Sequence, residues 1–185
     1  MRKNFGVKSW FYPQPVLIIA TYDENGNPDA MNAAWGGLYD GNKVELCLSA
    51  SHKTTKNIRA VGAFTVSFAD AANLVASDYV GLASANTEPK KMEKSGFHLT
   101  KSQFVNAPLI DELPVAMECK LVKINEDGNV IGEIVNVSAD ESVLGGDGNI
   151  DFSKFRPISF EPVHNGYHVL GERVGNAFQD GAALK

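Results

Sequence analysis

Cysteine is almost missing from this chain: 185 residues hold only Cys47 and Cys119. Two distant cysteines make no CxxC pair and no zinc-type cluster, which excludes a disulfide scaffold and a thiolate metal site. Each lies in a stretch of alternating apolar residues, so each is expected to be a buried core thiol. Long apolar runs are missing too. The longest, Val16–Ala20, is far too short to span a bilayer. Residues Met1–Trp10 carry Arg2 and Lys3 but no apolar segment of signal-peptide type, so a cytoplasmic protein without membrane attachment is expected. Positive charge is in short supply: 17 Lys and Arg face 22 Asp and Glu, a formal net charge of −5. That balance disfavours nucleic-acid partners and anionic lipid.

Several catalytic signatures are absent as well. There is no G-x-G-x-x-G, no Walker loop and no nucleophile elbow. His52 and His98 stand alone, and His164 and His168 flank the Asn165-Gly166 turn without a third ligand. No metal is expected.

What is present is an ordinary globular composition, 44% apolar and 21% charged, which predicts one domain over residues 1–185 with a proper core. After an irregular lead-in through Pro15, Val16–Tyr22 reads as a buried strand. A hairpin loop around Asn25-Gly26 returns the chain through Ala30–Gly37. In Lys43–Ser49, Val44, Leu46 and Leu48 alternate with polar residues. Ser51–Val61 has helical period and stops at Gly62. Phe64–Phe68 is a strand, Ala71–Tyr79 a helix, and a further helix runs from Pro89 to Gly96 with Thr87 as its expected N-cap. Pro114–Asn125 is a long strand whose inward phase slips at Val122, as a bulge or a bend would require where a sheet curls round on itself. It forms a hairpin with Val130–Val137. Pro157–Glu161 and Tyr167–Leu170 make a last pair. Hairpin-joined strands with a few inserted helices predict a mainly β, antiparallel barrel with peripheral helices.

Two segments could carry chemistry. In Ser49-Ala50-Ser51-His52-Lys53-Thr54 a strand ends and a helix begins, so free N–H groups, hydroxyls and the Lys53 charge suit a phosphate. The same residues also suit a plain capped surface helix. Asn32-Ala33-Ala34-Trp35, a stretch low in side-chain bulk, would let a flat ring approach the backbone, and it equally suits tight packing at a barrel corner. Asp78–Ser84 reads as a loop between the two helices, rich in small residues with one aromatic, that could rim a pocket or simply connect helices.

These residues together resemble the flavoredoxin branch of the flavin reductase-like proteins. The resemblance is carried by Pro15-Val16-Leu17, Asn32–Trp35, Leu48-Ser49 with His52–Ile58, Gly62–Ser67, Asp78-Tyr79-Val80-Gly81 and Tyr167–Glu172. It implies an FMN-binding split β-barrel, a homodimer with FMN near its interface, and oxidoreductase activity. Hydride would pass to flavin N5 from NADH or NADPH as a transient co-substrate. A non-enzymatic electron carrier reduced by a redox protein is the alternative, and a different ligand such as pyridoxal phosphate or haem is a weaker one. By position, Asn32, Ala33, Ala34 and Trp35 would lie along the ring. Ser49, Ser51, His52, Lys53 and Thr54 would hold the phosphate, with Ala83, Ser84 and Tyr167 at the rim. Where many relatives have hydroxyl side chains, Ala33 and Ala34 leave the ring to backbone groups; where Arg is common, His52 and Lys53 lack a bidentate fork.

Overall fold

The computed structural model describes all 185 residues. Its strands are β1 (Gln14–Pro15), β2 (Leu17–Tyr22), β3 (Pro28–Ala33), β4 (Gly36–Asp40), β5 (Lys43–Leu46), β6 (Ala63–Phe68), β7 (Leu99–Lys101), β8 (Pro108–Ile110), β9 (Val115–Ile124), β10 (Val130–Ala139), β11 (Ile158–Glu161) and β12 (Gly166–Val169). The helices are α1 (Lys53–Val61), α2 (Leu74–Leu82) and α3 (Lys91–Ser95). Seven strands form one antiparallel sheet in the order β3-β2-β6-β9-β10-β5-β4, while β1-β11-β12 and β7-β8 form two small sheets.

The central feature is that β3 and β4 sit at opposite edges of the seven-stranded sheet yet are consecutive in sequence, separated only by Ala34 and Trp35. A two-residue link cannot cross a flat sheet of seven strands spaced about 4.8 Å apart. The sheet must therefore curl until its edges nearly meet, giving the split β-barrel. The curl is helped by two bulges in the β9–β10 ladder. The register passes from Ile131↔Lys123 to Gly132↔Leu121, so Val122 is the extra residue, at the place where the sequence changes phase. Gly132 is required there for space: a Cβ would come 2.4 Å from Cζ of Phe64.

Strand β2 is buried on both faces, so Leu17–Ala20 is a continuous apolar run rather than an alternation, and the buried Thr21 that follows donates its hydroxyl to the Ala63 carbonyl at 3.0 Å. Leu17 and Ile19 join Val44, Leu46, Ile58, Phe64 and Val66 inside the barrel. Val16, Ile18 and Ala20 pack outward with Ala30, Val80, Ile110 and Ile158, beneath α2 and the β11–β12 hairpin. No helix is long and apolar enough to cross a membrane.

Several expectations are corrected. Ala30–Gly37 is not one return strand; it breaks at Ala34-Trp35, because continuing β3 would leave β4 without its partner β5. Helix α2 runs Leu74–Leu82 rather than 71–79, Asp70 accepting from the Asn73 N–H to form the turn before it, so Asp78–Leu82 is helix and only Ala83 and Ser84 of the expected loop lie outside it. Thr87 is not the cap of α3. Its hydroxyl donates to the Ser84 carbonyl in a preceding turn, and the helix begins only at Lys91. Cys119 is buried, but Cys47 is exposed. Val44, Leu46 and Leu48 take the inward positions, so alternation puts Cys47 on the outer face.

Candidate functional site

The start of α1 is open. Its N-cap, His52, makes no side-chain capping bond, and no acidic residue lies in the first turn. The positive end of the helix and its free N–H groups thus have no internal anion. Ser49 and Ser51, both exposed, face one another with their hydroxyl oxygens 2.8 Å apart, and the Ser51 N–H is 3.3 Å from Ser49 Oγ. The loop after α2 closes in beside them: Asn86 Nδ2 donates to the Ser51 carbonyl at 3.3 Å, and Lys56 Nζ lies 3.5 Å from Asn86 Oδ1. Ser84 accepts from the Asn86 N–H, so the Ala83-Ser84 turn is tied to the same place. Asn86 is a residue that sequence reasoning missed, because its partner lies 35 positions away.

Two expected phosphate residues are engaged elsewhere. Lys53 Nζ bonds Asn57 Oδ1 at 2.6 Å and pairs with Asp23 Oδ2 at 3.5 Å. The Asp23 carboxyl is held below the usual carboxylate range, first by the Asn27 N–H. Thr54 is buried, and its hydroxyl donates to Asp29 Oδ2 at 2.5 Å. The other oxygen of Asp29 meets Lys91 Nζ at 3.2 Å, with Asp29 2% and Lys91 3% exposed. This trio ties the first turn of α1 to β3 and α3 and leaves the backbone N–H groups and the two serines as the accessible donors.

Ala33 is buried in the barrel, Asn32 and Ala34 are half-buried, and Trp35 is 58% exposed. Asn32 Nδ2 donates to the Ser77 carbonyl at 3.0 Å. Helix α2 can approach this closely because residue 81 is glycine: a Cβ there would sit 2.9 Å from Asn32 Cβ. Tyr167 reaches the same spot from β12, its hydroxyl donating to Asp78 Oδ1 at 2.7 Å with the Asn32 amide alongside. Burial, then the Asp78 carboxylate, push the Tyr167 phenol up to about 12.

The Cys47 N–H donates to the Trp35 carbonyl at 2.8 Å, joining the Ala34-Trp35 link to the strand end that leads into Ser49. Over this junction lies a cleft of about 540 Å³ whose walls include Trp10, Phe11, Ala34, Trp35 and Cys47. Trp10 and Phe11 were not singled out from the sequence, since they lie in what reads as lead-in, and Cys47 was expected only as a buried core thiol. The Cys47 thiol is pushed up by burial and by Glu45, so it is no ready thiolate nucleophile. No three His, Cys, Asp or Glu side chains converge as a metal site. His164 instead pairs with Glu161, Nδ1 to Oε2 at 3.2 Å.

The structure thus has an uncapped helix start with two exposed serine hydroxyls, and an aromatic-walled cleft bordered by Cys47 two residues before Ser49, features that suit a phosphate and a flat ring. Known proteins share the fold. Flavoredoxin of Desulfovibrio vulgaris (Miyazaki F) is 35% identical and superposes with a TM-score of 0.93 over 98% of this chain and 100% of its own. Flavoredoxin from Methanosarcina acetivorans is 26% identical, with a TM-score of 0.89 over the full length of both chains. At 21% identity, an FMN-binding domain of flavin reductase-like enzyme from Shewanella baltica OS155 shares the fold, with a TM-score of 0.78 over 88% of this chain and 89% of its own. The family described as flavin reductase like domain matches residues 9–159. The split barrel, the cleft at its seam and these matches agree: the chain belongs to the flavin reductase-like domain family.

Proposed function

We propose that this protein is an FMN-dependent oxidoreductase that takes hydride from NADH or NADPH and passes electrons to a further acceptor. The observation that carries the reading is the open start of α1 with its exposed Ser49 and Ser51, in a chain segment whose Cys47 borders the aromatic cleft at Ala34-Trp35. When bound, FMN supplies reversible two-electron chemistry at its ring. The chain's own residues bind and orient. The first-turn N–H groups of α1 and the hydroxyls of Ser49 and Ser51 hold the phosphate, with His52 beside them and Lys53 adding charge from its place against Asp23. Thr54 serves as a strut to Asp29 rather than as a ligand. The backbone from Asn32 to Trp35 lines the ring, Ala33 and Ala34 keeping bulk away from it. Ala83, Ser84 and Tyr167 form the rim. Trp10, Phe11 and Trp35 give flat apolar walls that exclude water and suit a nicotinamide stacked transiently beside the flavin.

Leu38 and Tyr39 on the edge strand β4, and Trp35 just before it, are exposed, and Trp35 and Leu38 border the same cleft as Phe11. An aromatic patch of this kind on a sheet edge suits burial against a second copy, and we take the working unit to be a homodimer.

A carrier reading has its own support. The 35% identical relative is a flavoredoxin, and the chain has no dinucleotide fingerprint. In that case a redox protein, not a nicotinamide, would reduce the flavin. The deciding experiment uses protein loaded with FMN and mixed anaerobically with NADH or NADPH. Bleaching near 450 nm with either donor, and turnover with an acceptor, supports the enzyme. Stable colour with both donors leaves the carrier, and failure to bind FMN at all removes both readings.

A further inference from the structure

Each of the last 15 residues, Gly171–Lys185, is exposed, and the side-chain hydrogen bonds of Arg173 and Asn176 stay within the segment. Nevertheless they hold a shape of their own. The Asn176 N–H donates to Asp180 Oδ2 at 2.8 Å, Arg173 bonds the Gly175 carbonyl, and Asp180–Leu184 closes in a short 3-10 turn. Val174, Phe178 and Leu184 are carried at essentially full exposure. An end with three large apolar side chains in water and no surface of its own to cover lacks a partner. The solved flavoredoxin of Desulfovibrio vulgaris aligns over 98% of this chain with a TM-score of 0.93, so the similarity extends into this end.

The same molecule has an apolar groove without an occupant. It has a volume of about 430 Å³ and is lined by Phe68, Phe152, Phe155, Ile158 and Leu170, among others. Gln14 also borders it, a buried side chain whose Oε1 has no hydrogen-bond partner. A groove rich in aromatic rings with one unpartnered acceptor suits an aromatic side chain on a peptide backbone that brings an N–H. Gln14 and Pro15 border both this groove and the aromatic cleft beside β4, so the two are neighbours. The chain's own C-terminal segment does not enter the groove, since Phe178 is fully exposed.

We propose that Gly171–Lys185 is an exchange arm that seats Phe178 in the Phe152–Leu170 groove of a second copy of this chain. The exchange is reciprocal, each copy giving an arm and receiving one, as a two-fold interface requires. The inference rests on the two-copy assembly proposed above and adds what fastens it.

The test is the dissociation constant of the full chain, followed by light scattering or sedimentation over a dilution series, for wild type, Phe178→Asp and Phe152→Glu. Both side chains are exposed in the single chain, so both variants keep the fold, checked by circular dichroism. Wild type is expected to be dimeric, and each substitution, made twice in a two-fold pair, to weaken association at least about tenfold. Combining Phe178→Lys with Phe152→Glu should recover part of the loss. A monomeric wild type overturns the arm together with the two-copy assembly. A dimeric wild type in which either single variant keeps the wild-type constant overturns the arm alone.

Discussion

Thr54 Oγ1 lies 2.5 Å from Asp29 Oδ2, which ties the first turn of the helix at the candidate phosphate site to the strand that leads into the ring segment. Lys91 completes the contact from α3. Removing one member of a buried charge pair leaves the other uncompensated, which costs about 3–5 kcal/mol. Asp29→Ala should therefore lower the urea midpoint sharply. Thr54→Val removes only a hydroxyl and should cost about 1–3 kcal/mol. An Asp29→Ala protein with wild-type stability would remove the buried pair from the account.

The accessible donors at α1 are the two serines and the backbone. Ser49→Ala with Ser51→Ala should weaken FMN binding by about 1–3 kcal/mol for each hydroxyl lost. Riboflavin, which lacks the phosphate, should bind the double variant and wild type alike. Calorimetry with both flavins separates the outcomes, and equal losses for the two would move the phosphate away from α1.

Lys53 offers a test with opposite signs. In this structure it is held by Asp23 and Asn57. Lys53→Ala should weaken FMN binding only several-fold. Asp23→Ala releases the ammonium group and should strengthen binding, more at low salt than at high. Titration at two ionic strengths reads both effects, and a loss of affinity in Asp23→Ala would contradict the restraint.

Tyr167 sets an alkaline limit. Its phenol is raised from 10.0 to about 12 by burial and by Asp78. Between these values the unfolded chain has released a proton that the folded chain still holds, so the folded state is the one that binds more protons. The contribution is complete below pH 10 and is lost as pH rises through 12. Tyr167→Phe should flatten the alkaline fall in stability. The ultraviolet titration should also lose its latest-ionising tyrosine, and an unchanged titration would place the perturbation on another residue.

Gly81 tests how closely α2 must lie on the ring segment. A Cβ there would stand 2.9 Å from that of Asn32. Gly81→Ala should cost about 1–3 kcal/mol in stability through overpacking and should weaken FMN binding by displacing Asn32. Wild-type affinity in a protein that still folds would take Asn32 out of the site.

Much of the fold was legible because its signals are local. The stop of α1 at Gly62, φ +74°, follows from glycine's freedom in the left-handed region. The bulge at Val122 follows from a change of inward phase along one strand. The break at Ala34-Trp35 was hidden because a small-residue run looks the same within a strand as between two. Only the pairing of β4 with β5 fixes it. The commitments of Thr54 and Lys53 were hidden for a related reason. Each is decided by a carboxylate 25 or 30 positions away, and local sequence showed only that a hydroxyl and a charge stood at a helix start.

Because β3 and β4 are the two margins of a sheet that curls without closing, the ladder stops where Ala34 and Trp35 cross between them. A closed barrel would use up its main-chain polar groups in its own hydrogen bonds. Here the opening is held by a dipeptide too short to let the margins drift apart. The result is a seam bridged by the main chain itself, with the Trp35 carbonyl tied to the Cys47 N–H and the exposed indole of Trp35 standing beside it.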